Sequence, residues 1–123
     1  VDTLSELARN NNDRVGTVCE IGFNGGHSSL NWLLNSRPSA RVIAFDLGEH
    51  PYVHHSVDFV QTLFPDRLEI ILGDSKETIP AYTQRERQAG RDPRTCNIAF
   101  IDGDHSQEGA YADLVSFEAL ANR

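Results

Sequence analysis

The stretch Glu20-Ile21-Gly22-Phe23-Asn24-Gly25-Gly26-His27-Ser28 holds the densest chemistry in the chain and runs from an apolar segment into a helical pattern. Glycines let a backbone turn sharply and approach a ligand, and the amides at a helix start attract a carboxylate or phosphate. A dinucleotide site calls for G-x-G-x-x-G, but Asn24 stands in the second glycine position and the spacing fails. Glu20 sharpens the choice. Two residues ahead of the turn, its carboxylate would oppose a pyrophosphate and would suit an ammonium or sulfonium group. The plainer alternative is a tight strand-helix turn with Glu20 merely solvated at the sheet end, and ligand binding is the stronger of the two.

Three further acidic positions fall at a regular beat behind this turn. Gly22, Asp46, Asp74 and Asp102 are 24, 28 and 28 positions apart. Asp46 ends an apolar run where an acidic residue receives a ribose diol in nucleotide-type folds. A helix-capping or turn carboxylate is the competing role, and it loses weight beside the glycine turn. Gly73-Asp74-Ser75 could face an adenine ring with a polar side chain and a backbone amide, although it is equally a good helix-start sequence. Ile101-Asp102-Gly103-Asp104-His105-Ser106 gathers two carboxylates and an imidazole. Hard oxygen ligands suit Mg²⁺, and an imidazole near its ordinary pKa suits proton abstraction from a hydroxyl. An Asp-Gly turn with a capping Asp104 and a surface histidine is the alternative there. His50, His54 and His55 lack the further ligand that would complete a zinc set, so they read as a polar loop entering a helix. Trp32 reads as packed or rim-exposed on its helix.

These positions need a scaffold, and the hydrophobic pattern supplies one. Thr3 to Asn11 has helical composition, and Thr17 to Ile21 is a short apolar run with β-branched residues. Leu30, Leu33 and Leu34 recur at helical spacing until Pro38. The second strand is Arg41 to Phe45. Val53, Val57, Val60 and Phe64 mark a helix face closed by Pro65, and Leu68 to Leu72 is the third strand. A helix is expected from near Thr78 to Gln88, with Pro80 in its first turn, followed by a loop from Gly90 to Thr95. Asn97 to Ile101 is the fourth strand, and Ala110, Leu114, Phe117 and Ala121 give a last helix its buried stripe. Strands alternating with helices imply crossover connections, hence a parallel sheet covered on both faces. Ligands of such sheets sit beyond the carboxyl ends of the strands, which is where the glycine turn and the three carboxylates fall.

The bulk properties agree. The 123 residues, 39% hydrophobic and 24% charged, amount to one domain with one core. No stretch approaches the roughly 20 apolar residues of a membrane span. A formal net charge of −7 argues against a broad nucleic-acid footprint, and Arg85, Arg87, Arg91 and Arg94 read as a solvated helix end and loop. Cys19 and Cys96 lie in strand-like segments without metal-type spacing and are expected to be buried free thiols, which leans towards a reducing, cytoplasmic setting. The chain starts at Val1 and contains no Met, so a fragment of a longer protein is expected.

Together these motifs resemble the class I S-adenosylmethionine-dependent methyltransferases, and among them small-molecule O-methyltransferases of the catechol and macrolide-sugar type. The resemblance runs from Val15 to about Leu120 and rests on Glu20-Ile21-Gly22 with Gly26-His27-Ser28, Asp46, Gly73-Asp74-Ser75, and the segment from Ile101 to Ser106. It implies a Rossmann-like α/β three-layer sandwich with strand order 3-2-1-4, in which residues 1–123 form a single S-adenosylmethionine-binding domain lacking the family's later strands. It further implies a cofactor site made of Glu20, Gly22, Asn24, Gly26, Ser28, Asp46, Asp74, Ser75 and Asp102. By the same resemblance Asp102 binds Mg²⁺ and His105 is the catalytic base, for methyl transfer to a hydroxyl of a small molecule. Partners are then a small-molecule acceptor and, through an uncovered fourth strand, a second copy of the chain, with no nucleic acid and no membrane. The competing functions are a nicotinamide-linked oxidoreductase, opposed by Glu20 and Asn24, and a non-catalytic nucleotide-binding domain.

Overall fold

Strands form where the apolar runs are β-branched, and helices where apolar residues recur every three or four positions. The computed structural model describes residues 16–23, 25–101, 118, 120 and 121. In chain order the elements are β1 (Thr17–Ile21), α1 (His27–Asn35), β2 (Arg41–Asp46), α2 (Tyr52–Leu63), β3 (Leu68–Leu72), α3 (Ser75–Gln88) and β4 (Ile98–Ile101). The expected helix at Thr3 to Asn11 and the stripe residues Ala110, Leu114 and Phe117 lie outside the described residues.

The four strands make one sheet in the order β3-β2-β1-β4, parallel as the alternating pattern implies and ordered as the family resemblance implies. Alternate side chains divide the core into two layers. Val18, Val42, Ala44 and Leu68 pack with Trp32, Leu33, Val53, Val57 and Val60 of α1 and α2. On the other face, Cys19, Ile21, Ile43 and Phe45 pack with Ile79 and Tyr82 of α3 and with Leu120. Trp32 is fully buried, so of its two expected settings the packed one holds. The buried stripe of α1 is Ser29, Trp32 and Leu33. Leu34, expected in that stripe, is exposed.

Helix α3 begins three residues earlier than the sequence suggests. The Asp74 side chain accepts from the Lys76 amide and caps the helix, so Pro80 falls in its second turn rather than its first. Capping chemistry thus outweighs the missing proline N–H. At the other end of α3, Glu86 is buried and accepts from Tyr82 Oη at 3.2 Å and from Arg91 Nη2 at 2.6 Å. The Arg91 hydrogen bond holds the Glu86 carboxyl below its ordinary pKa, while burial and the Glu86 charge push Tyr82 up. The arginine run is exposed, as expected, though Arg85 pairs with Glu69 at 2.9 Å and Arg94 with Asp92 at 3.2 Å.

A depressed carboxylate pKa contributes stability that is present above the unfolded-state value and is lost as pH falls through the folded-state value. For Glu86 that loss begins below about pH 4.5, the ordinary glutamate value. Glu86→Gln should therefore lower the melting temperature at pH 7 and flatten its decline between about pH 4.5 and 3. Parallel melting curves for parent and variant across that window would show Glu86 to be uninvolved.

The two cysteines depart from expectation. Both are buried, but Cys19 of β1 is joined to Cys96 in a disulfide, with Cα atoms 5.6 Å apart. The crossover that sets β4 beside β1 brings together residues separated by 77 positions. No local spacing signals that pairing. The argument from free thiols to a reducing compartment falls with it. The same junction is tied by Asn97, whose Oδ1 accepts from the amides of Gly16 and Thr17 at 2.8 and 2.9 Å.

Candidate functional site

The hydrogen-bond ladder continues past the strand ends and fixes the rim residues side by side. Gly22 N donates to Phe45 O at 2.7 Å, and Gly73 N donates to Asp46 O at 2.8 Å. Gly22, Asp46 and Gly73 therefore occupy neighbouring strand ends, with Ile21 paired to Ile101 on the far side. This is the rim to which the spacing assigns a ligand. Asn24, Asp102, Asp104 and His105 lie outside the described residues.

The turn between β1 and α1 depends on left-handed backbone. Gly22 has φ 94° and Gly26 has φ 82°, a region that side chains disfavour. Glycine at position 26 also answers to packing. A Cβ there would lie 2.9 Å from Phe23 Cζ and 3.4 Å from Val60 Cγ2, both in buried side chains. Gly26 thus lets the turn pack onto α2, a constraint that stands beside the one the sequence suggests.

Among the described residues no side chain caps α1, and its first turn carries no acidic residue. The amides there form the positive end of a helix dipole. His27 is exposed and Ser28 half-buried at this helix start. Glu20 is not solvated at the sheet end, the plainer of its two expected settings. It is 0% exposed, on the α1 side of the sheet, between Ala44 and Phe100 in register. Ser29 Oγ donates to Glu20 Oε1. Sequence reasoning singled out Ser28 and missed Ser29. The signal was available: stepping back three and four positions from the apolar Trp32 and Leu33 reaches Ser29 on the inward face.

Asp46 is 8% exposed, and its Oδ1 accepts from the Gly48 amide at 2.7 Å, which fixes the carboxylate at the strand end. Asp74 is exposed and caps α3, and Ser75, the first helical residue, is half-buried. Two leucines that the motifs did not single out complete the rim. Leu47 follows Asp46 and is 57% exposed, and Leu72 closes β3 and is 43% exposed. A Cβ on Gly48 would lie 3.3 Å from Leu72 Cδ2, so this apolar surface borders the Asp46 turn. Among the described residues, no group of three His, Cys, Asp or Glu is placed to hold a metal ion.

A parallel sheet with order 3-2-1-4, a glycine turn into an uncapped helix and acidic residues at successive strand ends is the arrangement the sequence implied. The family model described as a methyltransferase domain matches residues 19–123. The chain belongs to this methyltransferase family. Solved structures agree on the fold of the methyltransferase domain. Cofactor-bound Rv0187 from MTB is 25% identical with a TM-score of 0.72, over 98% of this chain and 50% of that one. The O-methyltransferase TomG from Streptomyces achromogenes, in complex with SAM, is 19% identical with a TM-score of 0.73, over 98% and 49%. An O-methyltransferase from Bacillus cereus, in complex with SAH, is 20% identical with a TM-score of 0.69, over 98% and 50%. The chain spans about half the length of these structures. No curated protein matches it. Family membership sets aside the oxidoreductase alternative. No helix among the described residues is long and apolar enough to cross a membrane.

Proposed function

We propose that this methyltransferase domain binds S-adenosylmethionine along the rim from Gly22 to Ser75 and serves methyl transfer to a hydroxyl of a small molecule. The observation that carries the reading is a helix start left without a side-chain cap and with a buried glutamate behind it. Its amides suit the carboxylate of a methionyl group. The Glu20 carboxyl lies behind the turn, and in its ionised form it favours a ligand that also carries a positive group over a pyrophosphate. Asp46, held by Gly48, suits a ribose diol. Leu47 and Leu72 offer apolar surface for an adenine ring, with Asp74 and Ser75 at its edge.

The cofactor supplies a methyl group already activated on sulfur, so the protein's share is to align donor and acceptor. His105 is proposed as the base that takes the acceptor's proton and Asp102 as a cofactor and metal ligand, and both lie outside the described residues. β4, the end strand of the described sheet, is the proposed contact for a second copy.

S-adenosylhomocysteine should raise the melting temperature of the full chain, because a ligand that binds only the native state stabilises it, by about 2.7 kcal/mol at 100 times its Kd. NAD should leave the melting temperature where it was. A shift with NAD and none with S-adenosylhomocysteine would overturn the reading.

A further inference from the structure

We propose that Ser29 is a positioning residue for the cofactor site, acting through Glu20 rather than by touching the ligand; the proposal rests on the S-adenosylmethionine reading above. Glu20 and Ser29 are both fully buried. The layer around them is apolar, made of Val18, Phe23, Trp32, Leu33, Val42 and Ala44. A carboxylate in such a layer costs several kcal/mol unless it is hydrogen-bonded, and a hydrophobic residue would pack there without that cost. Packing alone does not account for the pair.

Their location does. Glu20 is the last residue but one of β1, directly before the turn, and Ser29 is the third residue of α1, directly after it. The hydrogen bond from Ser29 Oγ to Glu20 closes the loop across the base of the turn and fixes the first turn of α1 against the end of β1. The backbone bond from Gly26 N to Phe23 O, at 2.9 Å, sets the turn itself, and the side-chain bond sets where the helix start lies relative to the sheet. It also directs the Ser29 hydroxyl inward. Serines near a helix start otherwise compete for backbone groups there, and α1 retains no side-chain cap. The amides proposed for the methionyl carboxylate are thereby placed, and Ser29 itself does not compete for them.

The test is a double-mutant cycle read by isothermal titration with S-adenosylhomocysteine, using the full chain with Ser29→Ala, Glu20→Gln and the pair combined, and Ser29→Thr as the conservative variant. Ser29→Ala should weaken binding roughly 10- to 100-fold, the range for a lost hydrogen bond to a charged group. In the Glu20→Gln background the same substitution should cost less than about threefold, because the charged acceptor is already gone. Ser29→Thr, which keeps the hydroxyl, should stay within about threefold of the parent. A purely structural serine would give equal losses in both backgrounds, and that result overturns the proposal. So does a Ser29→Ala that binds as the parent does. Should Ser29→Ala fail to fold, Ser29→Thr decides: a loss as large as that of Glu20→Gln would show that the hydroxyl is not what matters. A parent chain that does not bind S-adenosylhomocysteine at all fails the cofactor reading instead, so the two failures are distinguishable.

Discussion

Gly26→Val is expected to unfold the β1-α1 turn before it does anything specific to a ligand. The native φ of 82° costs a residue with a Cβ about 1–2 kcal/mol. The new Cβ would lie 2.9 Å from Phe23 Cζ, and the branched methyls would press further towards Val60. Neither neighbour has room to yield, because both are buried in the layer beneath α1 and α2. Overpacking of this kind costs a further 1–3 kcal/mol or so, giving about 2–5 kcal/mol in all, a large share of a small domain's stability. Asp46→Ala removes a largely buried strand-end carboxylate and its bond to the Gly48 amide, worth about 1 kcal/mol, and should leave the fold intact. Urea denaturation of both variants and titration with S-adenosylhomocysteine separate the two causes. If Gly26→Val denatured with the midpoint of the parent while binding alone was lost, the glycine would be there for the ligand and the packing argument would fail.

The contrast shows what the sequence carries and what it withholds. The apolar run Val42-Ile43-Ala44-Phe45 marks a strand buried along its length, and the beat of Gly22, Asp46 and Asp74 puts the rim in order. Those signals are local or periodic. What was not legible depends on partners distant in sequence. That Gly26 packs against Val60, 34 positions away, as well as against Phe23 is one such feature. Glu20 reads as a rim charge until the register sets it between Ala44 and Phe100, with Ser29 above it. Leu47 and Leu72 are unremarkable in sequence and become a shared apolar rim once β2 and β3 pair. Local chemistry can also be misweighted, as at α3, where the cap at Asp74 sets the helix start and Pro80 does not.

The Cys19-Cys96 disulfide is another feature set by partners distant in sequence and carries the second large expected effect. It closes a loop spanning 77 positions that contains β2, α2, β3, α3 and every described residue of the rim. Restricting the unfolded chain over such a loop stabilises the native state by about 4.5 kcal/mol in the chain-entropy account. Its burial in the layer with Ile21, Ile43 and Leu120 means that the sulfurs are shielded, at 0% and 4% residue exposure. A dithiol reductant should therefore react slowly with the folded protein and quickly once mild denaturant opens the β4 edge. After complete reduction, or in Cys19→Ala with Cys96→Ala, the melting temperature should fall by roughly 10–20 °C. Because Asn97 ties Gly16 and Thr17 to the start of β4 independently of the sulfurs, the reduced chain should still fold at low temperature and bind S-adenosylhomocysteine. Thiol titration of unreduced protein in denaturant checks the premise. Two reactive thiols per chain there, together with a melting temperature indifferent to reductant, would return the cysteines to the free state and leave Asn97 and the β1-β4 ladder as what holds the end strand.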